Sequence, residues 1–241
     1  MTILRNILRK IIRLKENCRT FIDSSKSSLQ DSSKSTTSNI NACSLRLFVH
    51  PNVDLIVNAV GIDTRTCKNW ISVLETSGII YLLQPYMAKI SKRIIKAPKI
   101  SKRIIKAPKI YFLDTGLCSY LCKWPNAEML ESCAMSGAFF ETFVVSEIIK
   151  NAYAYNLDPH TFLFYYRDID QKEVDIIYTE QGKIYPIEIK KGVAPNKPTK
   201  NFSVLKKYDQ AIQPGLVIDT CDKIRPINEE AWTYPVYILG F

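Results

Sequence analysis

Two strand-like segments joined by a two-residue turn constrain the fold of this chain more than any other feature. Residues 173–180 (EVDIIYTE) and 183–190 (KIYPIEIK) are rich in Ile and Tyr and flank Gln181-Gly182, which predicts a β-hairpin. With this loop, Glu180 pairs with Lys183 and Asp175 pairs with Glu188. Strict alternation then gives one apolar face, formed by Val174, Ile176 and Tyr178 opposite Ile189, Ile187 and Tyr185.

The other face of the hairpin gathers acidic side chains and a lysine at one end. Asp175 and Glu188 repel each other across the strands unless a positive partner lies between them. A divalent hard cation is one such partner, and Lys190 could then orient a water or stabilise negative charge. Alternatively, Lys190 forms salt bridges to Glu173 and Glu188 on a solvated face. Spacing alone leaves both interpretations open.

Further apolar segments in the second half of the chain predict a mixed sheet flanked by helices, an α/β (α+β) fold. Helices are expected over residues 137–153 and near 202–208, and further strands over 161–167, 215–219 and 236–239. Pro186 fits a strand interior only where its side of the ladder is unpaired.

The first half of the chain has the layout of a winged helix-turn-helix over residues 45–110. Helices are predicted at 53–60 and 64–76, with Asp63 or Thr64 as cap, Gly78 in the left-handed conformation, and a strand from Ile79. Trp70, Ile71, Val73 and Leu74 are expected to face inward. The expected DNA contacts are Arg65, Lys68, Asn69, Lys92, Arg93, Lys102 and Arg103. The alternative is a helical module for protein contacts.

Charge is divided unevenly between the two halves. Residues 1–110 carry 20 Lys and Arg against 6 acidic residues, and residues 111–241 carry 13 against 17. Part of this excess comes from a tandem copy of ISKRIIKAPK at 90–99 and 100–109. Residues 1–22 predict a basic amphipathic helix, read as a docking helix or, alternatively, a membrane-surface or transit segment. Residues 23–44 predict a Ser-rich linker.

The composition disfavours several classes of site. The seven cysteines include no C-x-x-C pair and only two histidines are present, which argues against structural zinc and a hydrolase triad. No apolar run is long enough for a membrane span. A reducing, cytoplasmic location is the expectation.

Asp175, twelve residues, then Glu188-Ile189-Lys190 resembles the motif of the PD-(D/E)XK, restriction-endonuclease-like superfamily. That resemblance implies Asp175 and Glu188 as metal ligands, Lys190 as a catalytic residue, and Mg²⁺ or Mn²⁺ as cofactor. It also implies a further ligand from the preceding helix, where Glu141 stands in GAFFETFVV. The domain would occupy residues 111–241.

Three ordered segments extend the resemblance to about residues 50–241. TCKNWISVLETSGIIYLLQPY, SKRIIKAPKIYFLDTGL, and EVDII with IYPIEIK are similar to the C-terminal half of AAA-family ATP-binding proteins of bacteria and archaea. The chain has no G-x-x-x-x-G-K-[ST], so no ATP site is expected. We therefore expect a metal-dependent, DNA-directed nuclease-like remnant or partner of an AAA ATPase. The alternatives are a non-catalytic DNA- or protein-binding module and an inert fragment of a longer ATPase.

Overall fold

A computed structural model describes residues 53–87, 107–122, 124, 126–193, 195–208 and 211–239. The N-terminal helix, the Ser-rich linker and nearly all of the duplicated segment lie outside these residues. So do Lys92, Arg93, Lys102 and Arg103. The described chain divides into two compact units. The first contains the residues up to Tyr81, Tyr111–Leu157 and the C-terminal end from Tyr237, and the second contains Leu82–Ile110 and Asp158–Val236.

The first unit begins with two helices, α1 (Val53–Val60) and α2 (Thr64–Thr76), whose predicted bounds are confirmed. Asp63 caps α2, because its Oδ1 accepts hydrogen bonds from the Arg65 and Thr66 amides at 2.9 and 3.0 Å. Gly78 adopts a φ of 69° just beyond the helix, which is the predicted left-handed termination.

The predicted inward face of α2 is wrong at two positions. Trp70 is 54% exposed and Val73 is 65% exposed, whereas Cys67 is buried. At 100° per residue, Cys67, Ile71 and Leu74 lie within one narrow stripe of the helix, and Trp70 and Val73 fall outside it. Trp70 and Val73 therefore lie on the exposed side of α2.

After α2 the chain forms a two-stranded sheet and three more helices. The strands are β1 (Ile80–Leu83) and β2 (Lys109–Phe112), and the helices are α3 (Thr115–Leu121), α4 (Ala127–Ser132) and α5 (Ser136–Ala154). Asp114 and Asn126 cap α3 and α4 through the amides of Leu117 and Met129. Only α5 was predicted, because α3 and α4 are too short to show a clear period.

The second unit contains a seven-stranded mixed sheet. Its strands are β3 (Leu163–Arg167), β4 (Glu173–Glu180), β5 (Lys183–Ile189), β6 (Ala211–Ile212), β7 (Gly215–Asp219), β8 (Arg225–Asn228) and β9 (Ala231–Pro235). Their order is β3-β4-β5-β7-β9-β8, and β6 pairs with β5 beside that path. β3, β4 and β5 are antiparallel, β5, β7 and β9 are parallel, and β8 is antiparallel to β9. The predicted α/β class with a mixed sheet is confirmed.

The last predicted strand is wrong. Val236–Leu239 forms a 3₁₀-helix, and the strand in this region is β9, which ends at Pro235. A second 3₁₀-helix, Phe202–Lys207, occupies the position of the expected helix. β9 was missed because Trp232, Thr233 and Tyr234 follow two glutamates without a clear alternation.

Both faces of the central strands are buried. Residues 174–178 of β4 and 184–189 of β5 are buried without interruption, so the centre of the hairpin has no solvated face. The parallel partners of β5 pair with Lys183–Ile184 and Ile187–Ile189, and Pro186 falls between them. This gap meets the condition predicted for a proline inside the strand.

Gly215 begins β7 where the backbone leaves no room for a side chain. A Cβ atom there would lie 2.4 Å from Phe202 Cε2 and 2.7 Å from the carbonyl oxygen of Pro186. A glycine is therefore required at the position where β7 joins β5. No helix among the described residues is long and apolar enough to cross a membrane.

Candidate functional site

The β4–β5 hairpin has the register that the sequence predicts. Glu180 pairs with Lys183, Tyr178 with Tyr185, and Ile176 with Ile187 around the turn of Gln181 and Gly182. Both turn residues have positive φ, at 50° and 74°, which suits a tight two-residue hairpin loop. The observed pairing extends to Ile176 and Ile187, the residues next to Asp175 and Glu188.

A β-bulge interrupts β4 at the predicted acidic position. Across β3 and β4 the pairing moves from Phe164 with Ile177 to Tyr166 with Val174, so Asp175 and Ile176 oppose a single residue. Val174 therefore packs in the same cluster as Ile177, and the strict alternation predicted for this strand is wrong here. Bulges redirect side chains and are common beside functional sites.

Asp175 is held inside the sheet by hydrogen bonding and charge. It is 5% exposed, and its Oδ2 accepts a hydrogen bond of 2.8 Å from the Ile189 amide. The same oxygen lies 3.7 Å from Lys190 Nζ. The carboxylate of β4 is thus joined to the last residue of β5 and to the lysine after it.

Glu188 and Lys190 complete a compact trio with Asp175. Glu188 is also 5% exposed, and its Oε1 lies 2.7 Å from Lys190 Nζ. The Lys190 amide donates to the Ile218 carbonyl of β7, which continues the parallel ladder past the end of β5. The Lys190 side chain remains 43% exposed, so one partly accessible ammonium contacts two buried carboxylates.

This geometry decides between the two interpretations of the lysine only in part. Lys190 pairs with Glu188 and Asp175, not with the pair Glu173 and Glu188, and the carboxylates are buried and not solvated. The ammonium also supplies positive charge between the acids, so their proximity does not by itself require a metal ion. As ionised groups, the trio carries a net charge of −1.

Glu173, two residues before Asp175, is bound by two cations. Its Oε1 forms an ion pair with Lys109, and its Oε2 lies 3.4 Å from Arg167 Nε. Sequence reasoning missed Lys109. It is the last residue of the second repeat copy, and Lys99 ends the first copy in the same way, so the sequence offers no signal that selects one of them.

Asp168 stabilises the loop between β3 and β4. Its Oδ1 accepts hydrogen bonds from the amides of Asp170 and Lys172, and its Oδ2 accepts one of 2.9 Å from the Tyr166 hydroxyl. Burial alone would raise the pKa of Asp168, but the hydrogen bonds from Lys172, Tyr166 and Asp170 outweigh it and lower the pKa. Burial in turn raises the pKa of Tyr166. Asp168 acts here as a loop-stabilising residue.

Glu141 belongs to the first unit. It lies on α5, is partly buried, and accepts a hydrogen bond of 2.6 Å from the Tyr111 hydroxyl of β2. The tyrosine orients this carboxylate within its own unit. The role of Glu141 as a further metal ligand stays a prediction.

The three predicted contact residues of α2 share its exposed surface. Arg65, Lys68 and Asn69 are all exposed, together with Trp70 and Val73. This surface combines two positive charges with an aromatic ring. It is compatible with phosphate contact and with protein docking alike.

The residues of the hairpin end fit a hard divalent cation in donor type. Asp175 and Glu188 offer carboxylate oxygens in a buried setting, and Mg²⁺ and Mn²⁺ favour oxygen ligands. An oxygen of Glu173 also lies within 4.8 Å of one from Asp175. A bound cation would have to displace the ammonium of Lys190 or share the two carboxylates with it.

Two family models match parts of the chain. Residues 136–239 match a domain of unknown function (DUF4143), which is typically associated with the C-terminal regions of AAA ATPases. Residues 9–128 match a second domain of unknown function (DUF8612). The first match runs from the start of α5 to the final 3₁₀-helix and so includes Asp175, Glu188 and Lys190.

Two curated relatives align with part of the chain. Over 141 residues it is 28% identical to uncharacterized proteins of Mycobacterium bovis and Mycobacterium tuberculosis. The alignment covers 58% of this chain but only 28% of either relative, so the chain spans a small part of their length. No solved structure matches the chain.

Proposed function

We propose that this protein is a DNA-directed, divalent-metal-dependent nuclease-like protein that works as a part or partner of an AAA-family ATPase. The observation that carries the proposal is the convergence of Asp175 and Glu188 on Lys190 at the end of the hairpin. Buried acids joined to a partly exposed lysine are the residue types that metal-assisted phosphodiester hydrolysis uses.

Each residue has a distinct role in this proposal. Asp175 and Glu188 hold Mg²⁺ or Mn²⁺, and Glu141 is the proposed further ligand. The cation would polarise the phosphate and activate a water. Lys190, once displaced from its acidic partners, would orient that water or stabilise charge on the phosphate. Its partial exposure allows this movement.

DNA contact and the ATPase association have separate support. Arg65, Lys68 and Asn69 lie on the exposed side of α2, and the basic residues Lys92, Arg93, Lys102 and Arg103 follow in sequence. The association with an AAA ATPase is proposed because DUF4143 is typically found in the C-terminal regions of such ATPases. Phosphate attraction from this region would compensate for the net negative charge of residues 111–241.

The test combines cation binding with cleavage. Calorimetric titration with Mn²⁺ should show one site in the full chain, and Asp175→Asn should abolish it. Nicking of supercoiled DNA should require Mg²⁺ or Mn²⁺ and fall roughly a hundredfold or more in Glu188→Gln and in Lys190→Met, since each removes a group that acts on the reacting phosphate.

Two substitutions near the site provide matched controls. Glu180→Gln changes an acid at the turn end of the same hairpin, and Lys191→Met changes the exposed lysine next to Lys190. Both should retain binding and nicking. Equal residual nicking in all four variants would assign the cleavage to a contaminant and reject the proposal.

A non-catalytic binding module is the second candidate. The ion pairs of Lys190 favour it, because they place a positive charge on both carboxylates without a metal ion. In that case DNA or protein binding persists, Mn²⁺ does not bind, and Asp175→Asn lowers stability by leaving the Ile189 amide and Lys190 with a weaker acceptor.

A further inference from the structure

Lys109 is a buried lysine whose position is fixed from two sides. Its side chain is only 10% exposed, and its ammonium forms an ion pair with Glu173 Oε1. The same ammonium lies 5.6 Å from the ring centroid of Tyr165, and the Tyr165 hydroxyl donates to the Ala107 carbonyl two residues earlier. A single tyrosine of β3 thus contacts the Lys109 ammonium and anchors the chain that leads to it.

Glu173 has both carboxylate oxygens engaged by cations. Lys109 binds Oε1. Arg167, which pairs with Glu173 across β3 and β4, lies 3.4 Å from Oε2. Arg167 is itself oriented by Gln171, whose side-chain oxygen accepts a hydrogen bond of 2.5 Å. Yet an oxygen of Glu173 also lies within 4.8 Å of one from Asp175.

We propose that Lys109 is a positioning residue that, together with Arg167, withholds Glu173 from the neighbouring cation site, so that Asp175 and Glu188 supply its ligands. This inference rests on the proposed function. Without Lys109, the Glu173 carboxylate would lie beside those of Asp175 and Glu188 with less positive charge to balance it. Cation binding would then be tighter, and the ligand set would no longer be defined by the hairpin pair.

The charges around the site determine whether each substitution strengthens or weakens cation binding. Glu173, Asp175 and Glu188 are opposed in the structure by Lys109, Arg167 and Lys190. Removal of a buried positive charge next to a cation site strengthens cation binding, whereas removal of a negative charge weakens it. A lysine with only a packing role would show neither effect.

The experiment is a double-mutant cycle on Mn²⁺ affinity, measured by calorimetry with the full chain. Lys109→Met should lower the dissociation constant by roughly threefold to thirtyfold, as expected for loss of a nearby charge in partly buried surroundings. Glu173→Gln should raise it by a similar factor. In the double variant the gain from Lys109→Met should largely disappear, because it depends on the freed Glu173 carboxylate, and Lys109→Arg should resemble the wild type.

Two outcomes would overturn the inference. If Lys109→Met tightens binding by the same factor with Glu173→Gln present as in the wild type, Lys109 acts as an independent charge and does not withhold Glu173. If Lys109→Met binds Mn²⁺ with unchanged or weaker affinity while it retains a cooperative unfolding transition, Lys109 has only a packing role. Should Lys109→Met fail to fold, Arg167→Met is the alternative variant. It removes the cation next to Glu173 Oε2 and should also tighten Mn²⁺ binding.

The controls separate this inference from the proposed function. If the wild-type chain binds no Mn²⁺ at all, the proposed metal site fails and the inference fails with it. If the wild type binds and Asp175→Asn does not, the site stands, and the cycle at Lys109 and Glu173 is decided independently.

Discussion

The helix α2 and the β4–β5 hairpin were predicted with similar accuracy in their bounds, but the register of the hairpin was predicted better than the facing of α2. The helix and β4 have the predicted bounds, and β5 ends one residue earlier than predicted, at Ile189. The hairpin also has the predicted register, whereas α2 exposes Trp70 and Val73, which were expected inside. The difference lies in how each element is anchored.

A two-residue turn fixes every pair in a hairpin, because the partner of each residue follows from its distance to the turn. A helix with five apolar residues spread over a wide arc has no such reference. Its buried stripe depends on which neighbour covers it, and in α2 the stripe is centred on Cys67. Facing in a helix is therefore a tertiary property, whereas register in a tight hairpin is a local one.

The largest expected difference between the hairpin and α2 is in the stability lost when an apolar side chain is truncated. Ile177→Ala removes a fully buried side chain of β4 and should lower the free energy of unfolding by about 2–5 kcal/mol. Val73→Ala, on the exposed side of α2, should change it by less than about 0.5 kcal/mol. Chemical denaturation of both variants measures the difference, and a large loss in Val73→Ala would restore the predicted inward face.

The parts of the fold that the sequence predicts are those set by local chemistry. Asp63 and Gly78 bound α2, and Gln181-Gly182 sets the hairpin, because caps and tight turns involve neighbouring residues. β9 instead pairs with β7, sixteen residues earlier, and with β8 across Glu229-Glu230, which lacks the usual turn residues, so it could not be identified from its own residues. Val236–Leu239 is apolar enough for a strand but closes into a 3₁₀-helix.

In the candidate site, too, features set by neighbouring residues could be predicted and features set by strand pairing could not. The trio of Asp175, Glu188 and Lys190 follows from turn and spacing and could be named from the sequence. The bulge at Asp175 could not, because it arises from the pairing with β3. Nor could Lys109, which has an identical copy ten residues earlier and is distinguished by the strand that begins with it. Long-range pairing decides these features.

The exposed side of α2 can be tested directly as a phosphate-binding surface. Replacing both Arg65 and Lys68 by Ala should weaken DNA binding several-fold at moderate salt. It should also reduce the slope of log affinity against log salt by about 2, or roughly 0.9 per lost contact. The matched control replaces two exposed cations of the other unit, Lys223 and Arg225, and should leave the slope unchanged. Equal slopes in both double variants would assign α2 to protein docking.

Acid pH should weaken the N-terminal end of α2, because the Asp63 carboxylate that caps it becomes protonated. The Thr66 hydroxyl and amide hydrogen-bond to the Asp63 carboxylate and lower its pKa below the ordinary 3.8. The carboxylate therefore stabilises the helix fully above pH 3.8, and this contribution is lost as the pH falls through the lowered value. Asp63→Asn keeps an N-cap that does not titrate. Amide exchange at Thr66 should show an acid-induced loss of protection in the wild type and none in Asp63→Asn, and identical acid profiles would mean that the cap does not determine where α2 begins.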